Sequence, residues 1–263
     1  MKNFEKNVIL ITGAGMGLGL ATAWEAAALG AKLVLVDYNE EALQKAKSDL
    51  TKDYSGLEVL TIKADVSKEE EVKAYVDETI EKFGQIDGFY NNAGIEGKQA
   101  SITEYDIDIF KKVVDINLMG VYYGLRYVLP HMQERKYGRI VNVASVGGIR
   151  GVMNQMPYVA SKHAVSGMTK NTALEYAQYG ITSNAIAPGA ILTPMVAEAF
   201  KQVNPADPQA AEKDYAQANP AKRLGLPAEV AKVVCFLLSK DCSYVNGQTI
   251  AIDGGQSNSY GNV

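Results

Sequence analysis

Along the chain, short apolar runs alternate with longer stretches in which apolar residues recur every three or four positions. The runs at 8–12, 32–36, 58–63, 88–91, 139–144, 182–187 and 249–252 predict seven strands. Most are continuously apolar rather than alternating, as strands must be when both faces of a parallel sheet are covered by helices. The intervening stretches supply those helices. Val72, Val76, Ile80 and Phe83 place one apolar stripe along a helix, and Ser67 followed by Glu70 predicts its capping box. Val230, Val233, Val234, Leu237 and Leu238 repeat the spacing behind Pro227, which suits a first turn. Further helices are expected over 110–134, with Tyr122, Tyr123 and Tyr127 at packing positions, and over 158–179. This alternation predicts a three-layer α/β fold with a seven-stranded parallel sheet. One domain is expected over 1–263, and only the segment at about 194–226 breaks the pattern. It holds Pro194, Pro205, Pro208 and Pro220, is rich in Ala and Gln, and has weak periodicity, so it reads as a mobile lid.

The first chemical signal is a turn. The predicted strand 8–12 runs directly into Thr12-Gly13-Ala14-Gly15-Met16-Gly17-Leu18-Gly19 and then an Ala-rich helix. Glycines between a strand and a helix let backbone approach a pyrophosphate, and the helix N-terminus offers unpaired N–H groups to it. A structural turn needing positive φ would use the same letters. The next strand, however, ends on Asp37, at the distance where a ribose-binding acid is expected. Together the two features favour a dinucleotide.

Composition narrows the partners. The 263 residues are 47% hydrophobic and 21% charged, and 26 Lys+Arg against 30 Asp+Glu give a net charge of -4 without a block of like charges. Nucleic acid and membrane surfaces are therefore not expected partners. The N-terminal stretch is charged and meets only a short apolar run, so a soluble, unprocessed, cytoplasmic protein is expected. In that setting Cys235 and Cys242 stay reduced. His131 and His163 lack the spaced partners of a metal site, and no metal is expected.

The glycine turn, Asn91-Asn92-Ala93-Gly94, Ser145, Tyr158 with Lys162 four residues on, and Pro188-Gly189 occur in the order and spacing of the short-chain dehydrogenase/reductase family, which the chain resembles over nearly its whole length. The resemblance implies a Rossmann-type fold, an NAD(H) cofactor and a symmetric homotetramer, with the C-terminal strand at one interface and helices carrying Tyr122 and Met168 at another. Cofactor contacts are implied for Gly13, Gly15, Met16, Gly17, Leu18, Gly19 and Asp37. They are likewise implied for Asp65 and Val66 at the adenine, Asn91, Ala93 and Gly94 at its ribose, and Pro188, Gly189, Ile191 and Thr193 at the nicotinamide. Tyr158 and Lys162 lie one helical turn apart, a spacing that usually makes only a solvated face or a packed aromatic. With Ser145 and Asn117 the set becomes catalytic by resemblance. Tyr158 is the acid/base, favoured as phenolate by the neighbouring ammonium and the positive oxidised nicotinamide. Lys162 also holds the nicotinamide ribose, Ser145 donates to the substrate oxygen, and Asn117 completes a proton relay.

Residues expected around the substrate are Val146, Met153, Met156, Met195, Val196 and Phe200, with Glu96 and Gln155 as polar handles. Residues 91–99, 144–151 and 187–191 are similar to a branch of the family acting on a cyclic diketone. The expected activity is interconversion of a secondary alcohol and a ketone, on a neutral, mainly apolar, cyclic small molecule. Two other readings share the fold: a 3-oxoacyl carrier-protein reductase, and a non-catalytic dinucleotide sensor, against which the intact Ser145, Tyr158 and Lys162 speak.

Overall fold

Neighbouring residues of a strand point to opposite faces, so a continuously apolar strand feeds two cores at once. In β1 (Val8–Thr12), Ile9 and Ile11 enter one core while Val8 and Leu10 enter the other; in β2 (Lys32–Asp37), Leu33 and Leu35 are set against Val34 and Val36 in the same way. The computed structural model describes residues 3–259, leaving Met1 and Lys2 of the N-terminal stretch outside. β3 (Val59–Lys63), β4 (Gly88–Asn91), β5 (Gly138–Val143), β6 (Ile181–Pro188) and β7 (Thr249–Ile252) complete one sheet in the order β3-β2-β1-β4-β5-β6-β7. Every pair is parallel. The seven expected strands are thus present, with no end shifted by more than one residue.

The first core is closed by α1 (Gly17–Ala28), α2 (Glu40–Asp53) and α9 (Pro227–Leu238), through residues such as Ala23, Leu43 and Val230. The second is closed by α3 (Glu69–Phe83), α5 (Gly120–Arg135) and α6 (Met156–Tyr176), through Val72, Val121 and Val165. The strand order reverses between β1 and β4, opening a crevice beyond their C-terminal ends. The opposite end of the sheet is sealed. There Asp87 accepts from Val8 N at 2.8 Å and pairs with Arg135 at 3.0 Å, while buried Arg139 donates to Gly180 O at 2.9 Å. Among the described residues no helix is long and apolar enough to cross a membrane.

Three local expectations are corrected. No capping box forms at Ser67 and Glu70: α3 starts at Glu69 without a side-chain cap, because the Ser67 hydroxyl is spent on Asp65 Oδ1 at 2.7 Å. The helix expected over 110–134 starts earlier, as α4 (Ile107–Val114), and passes through a π-helical turn at Asp115–Met119 before α5. The lid segment is not irregular. Residues Pro194–Val203 form α7 and Pro208–Ala218 form α8; their prolines start helices, behind N-caps Thr193 and Asp207 whose side chains accept from Val196 N and Ala210 N. Proline there forfeits no helical hydrogen bond, so it marked starts where a break was expected.

Candidate active site

The crevice begins where β1 hands over to α1. Gly13 turns the chain at φ +62°, and a Cβ on Gly19 would lie 2.1 Å from the Gly13 carbonyl, so the turn and the first helical coil are in backbone contact. α1 then starts with no side-chain cap and no acid in its first turn. Its N-terminal N–H groups are left for an anion. Gly17 lines the cleft, and a side chain there would project toward the Thr193 methyl, 3.6 Å from the Cβ, across the space. An uncapped helix N-terminus, glycines where side chains would obstruct, and an acid at the end of β2 fit a dinucleotide pyrophosphate and ribose.

Asp37 is held by two backbone donors, Gly15 N at 2.8 Å and Asn39 N at 2.9 Å, and lines the cleft with Tyr38. Asp65 and Val66 follow β3 on the same wall. After β4, Asn92 turns its amide back to Thr12 O at 2.8 Å and Gly13 O at 3.1 Å, while Thr12 Oγ1 accepts from Asn92 N and Ala93 N. These bonds tie the turn after β1 to the loop after β4.

The opposite end is built on β5 and α6. Gly147 and Gly148 let α6 come close: a Cβ on Gly148 would be 2.7 Å from Lys162 O, and one on Gly147 would touch the Tyr158 ring at 3.5 Å. Ser145 Oγ accepts from Gly147 N at 3.1 Å, which leaves its O–H to donate toward the Tyr158 phenol or a substrate oxygen. Lys162 Nζ donates to Val143 O at 2.7 Å and sits 5.7 Å from the centre of the Tyr158 ring. All three side chains line one cleft of roughly 540 Å³ together with the glycine turn and Asp37. Burial raises the Tyr158 phenol, against a smaller lowering by its hydrogen bond with Ser145. Lys162 is itself lowered by burial, to about 8.

Asn117 lies in the π-helical turn, fully buried, and its amide pairs with both backbone groups of Ile95: Nδ2 donates to O and Oδ1 accepts from N, each at 2.8 Å. Gly94 sits between it and Lys162, where a Cβ would be 3.1 Å from Asn117 Oδ1 and 3.4 Å from Lys162 Nζ.

The match to known proteins agrees with this construction. A family model described as enoyl-(acyl carrier protein) reductase matches residues 13–257. The chain belongs to the short-chain dehydrogenase/reductase family. It is 54% identical over 257 residues to levodione reductase of Leifsonia aquatica, covering 98% of this chain and 96% of that one. It is 41% identical over 251 residues to cyclohexanol dehydrogenase of Acinetobacter sp. (strain SE19), covering 95% of each. A crystal structure of levodione reductase superposes with a TM-score of 0.97 at 54% identity over 98% of this chain and all of that one. NAD+-bound xylitol dehydrogenase gives 0.93 at 37% identity over 97% and 100%. A variant actinorhodin polyketide ketoreductase with NADPH gives 0.91 at 35% over 98% and 99%.

Of the residues expected at the cofactor, Gly13, Met16, Gly17, Leu18, Asp37, Asp65, Val66, Ala93, Gly94, Pro188, Gly189, Ile191 and Thr193 all line the cleft. Three expected residues stand behind the wall. Gly15 orients Asp37, Gly19 packs on Gly13, and buried Asn91 donates to Val121 O at 3.0 Å. The residues expected around the substrate are spread more widely. Met195 and Val196 line the cleft, but Val146, buried, and Met153, 85% exposed, do not. Phe200 is buried against Tyr215 of α8. Glu96 and Gln155 are joined by one hydrogen bond, Gln155 Nε2 donating to Glu96 Oε1. Asn92, Ile95, Lys112 and Ile116 line the cleft without having been expected there. Lys112 and Ile116 lie four positions apart on one helix face just before the expected Asn117, and that spacing was the available signal.

Burial of Lys162 has a pH signature. Its ammonium is held to about 8 in the folded protein against 10.5 ordinarily, so the unfolded chain binds more protons between those values and stability rises with pH across that window. Below it the buried charge costs on the order of 3 kcal/mol. Lys162→Met, which keeps the stem, is expected to raise Tm by several degrees at pH 7, with the gain disappearing above pH ~10.5. Calorimetry across that range checks it; a lower Tm at pH 7, or a gain independent of pH, contradicts the burial cost.

Proposed function

We propose that the chain is an NAD(H)-dependent oxidoreductase interconverting a neutral, mainly apolar cyclic secondary alcohol with its ketone or diketone. The observation that carries this reading is the convergence of Ser145, Tyr158 and Lys162 at one end of a cleft whose other end is the glycine turn and Asp37. The names of its relatives, levodione reductase and cyclohexanol dehydrogenase, agree with a cyclic substrate. When bound, the nicotinamide supplies or takes the hydride.

The chain's own residues do the rest. Tyr158 exchanges the proton at the substrate oxygen, and the Ser145 O–H donates to that oxygen as charge develops on it, worth roughly 3 kcal/mol by analogy with an oxyanion-hole donor. Lys162 keeps donor capacity beyond its bond to Val143 O, for the ribose hydroxyls and the phenol. Asn117 fixes Ile95 and holds the relay position beside Lys162. Asp37 accepts from the adenosine ribose; a 2′-phosphate beside it would meet a like charge at a cost of up to ~4 kcal/mol at ~4 Å and an effective dielectric near ~20. Residues 194–226 act as the lid, with Met195 and Val196 as its apolar face toward the substrate. A cytoplasmic location belongs to this reading, supported by the two free, buried thiols of Cys235 and Cys242.

A homotetramer is also part of the proposal. β7 ends the sheet with Ala251 exposed, and Leu174, Phe236 and Tyr244 expose apolar surface. An uncovered sheet edge beside exposed apolar side chains suits a subunit interface.

Three measurements test these points. NADH is expected to exceed NADPH in kcat/KM by at least tenfold with a cyclic diketone, and Asp37→Ala to narrow the ratio; equal use by the unmutated enzyme overturns the cofactor choice. Tyr158→Phe should bind NADH, seen by fluorescence titration, yet lose at least ~10²-fold in turnover. Near-normal turnover would remove Tyr158 from its role. Light scattering at micromolar concentration should give four times the mass of one chain, and a stable monomer refutes the assembly.

A further inference from the structure

The loop that follows Gly94 is held by side-chain amides at two points. Asn117 pairs with the backbone of Ile95, as described. Farther along, Gln202 of α7 makes the same two-point pair: its Oε1 accepts from Gln99 N at 3.1 Å and its Nε2 donates to Gly97 O at 3.3 Å. Asn117 is fully buried on a helix fixed in the core, whereas Gln202 is half-buried on the helix that carries the lid face. Gly97 is shaped for this exposure of its carbonyl. It adopts φ +85°, and a Cβ would lie 2.6 Å from Tyr105 Oη and 2.7 Å from Val113 Cγ2, so no other residue leaves the loop in this path.

We propose that Gln202 is a positioning residue: a clasp that fastens the lid helix α7 to the 95–99 loop and thereby sets the distance between the two walls of the substrate end. Ile95 stands on one wall, and Met195 and Val196 on the other, at the far end of the helix that carries Gln202. The loop passes the constraint inward. Gln99 Nε2 and Gln155 Nε2 both donate to the Glu96 carboxylate, and Gln155 is the N-cap residue of α6, three positions before Tyr158. Two neutral, partly exposed hydrogen bonds are individually weak, so such a clasp positions α7 without locking it. Gln202 touches no reacting group; it acts through α7.

This inference rests on the proposed ketone reduction, but part of its test does not. Gln202→Leu keeps the side-chain size and removes both bonds. Hydrogen exchange without substrate is expected to speed at the Gln99 amide by at least threefold, with the β-strand amides unchanged. Steady-state kinetics with the cyclic diketone should show KM raised at least threefold and kcat changed by less than twofold, with NADH affinity retained. Gln202→Glu, which keeps the acceptor for Gln99 N and loses the donor to Gly97 O, should fall between wild type and Gln202→Leu in KM. Unchanged exchange at Gln99 overturns the clasp. Faster exchange with unchanged KM, or kcat and KM falling together, overturns the positioning role. Absence of turnover in the unmutated protein would count against the ketone reading, leaving the exchange result to judge the clasp.

Discussion

A buried parallel strand that ends abruptly leaves backbone N–H and C=O groups with no ladder partner, and those groups must be satisfied where the sheet opens. At the C-terminal end of β1 and β4 this protein meets the demand with side chains. Thr12 and Asn92 bridge the two departing loops, Asp37 takes the N–H groups of Gly15 and Asn39, Asn117 pairs with Ile95, and Lys162 takes Val143 O. The residues around the cleft are thus the ones that finish the sheet. Their geometry is set by backbone atoms that cannot move without opening the ladder, which is why loops of such polar composition can hold a site to within hydrogen-bond tolerance.

The electrostatics follow from the same burial. Lys162 and Tyr158 are both removed from water, and the charged form of each is disfavoured: the phenol moves up and the ammonium down. Their equilibrium values, close together in water, therefore move apart, the phenol upward and the ammonium to about 8, so burial alone leaves the proton on the phenol. The protein keeps a lysine in its interior at a stability cost, with one carbonyl as its protein acceptor. The π-helical turn that carries Asn117 has the same character, since an extra residue per turn is a poor helix but swings an amide onto Ile95.

What the sequence makes legible divides along physical lines. Continuous apolar strands and 3.6-periodic stripes are signals of burial, so the sheet, its parallel sense and most of the helices could be read from them. The glycine turn and Asp37 were legible because they occupy fixed positions relative to a strand end. Ser145, Tyr158 and Lys162 needed the family resemblance, since a Tyr and Lys one turn apart mean little alone. The errors came where one residue type serves two ends. Proline broke the pattern on paper at 194 and 208 but starts a helix at each. Ser67 looked like a cap but is claimed by Asp65. Glu96 and Gln155 read as polar handles for a substrate, and nothing in their spacing shows that they also bind each other across 59 positions of chain.

That last pairing shapes the substrate end. A carboxylate beside a substrate pocket would ordinarily select for cations or for donors, and Glu96 lies on the loop that forms one wall. Two glutamine amides occupy its oxygen, and burial raises its acid range against a smaller lowering by Gln99, so its charge is both covered and disfavoured. The groups left facing the substrate end are Ile95, Met195, Val196 and the polar set at Tyr158. An apolar wall with one cluster of proton-exchanging groups suits a hydrocarbon ring presenting a single reacting oxygen. The apolar character of that wall thus owes as much to the amides that hold Glu96 within the fold as to the side chains that face the cleft.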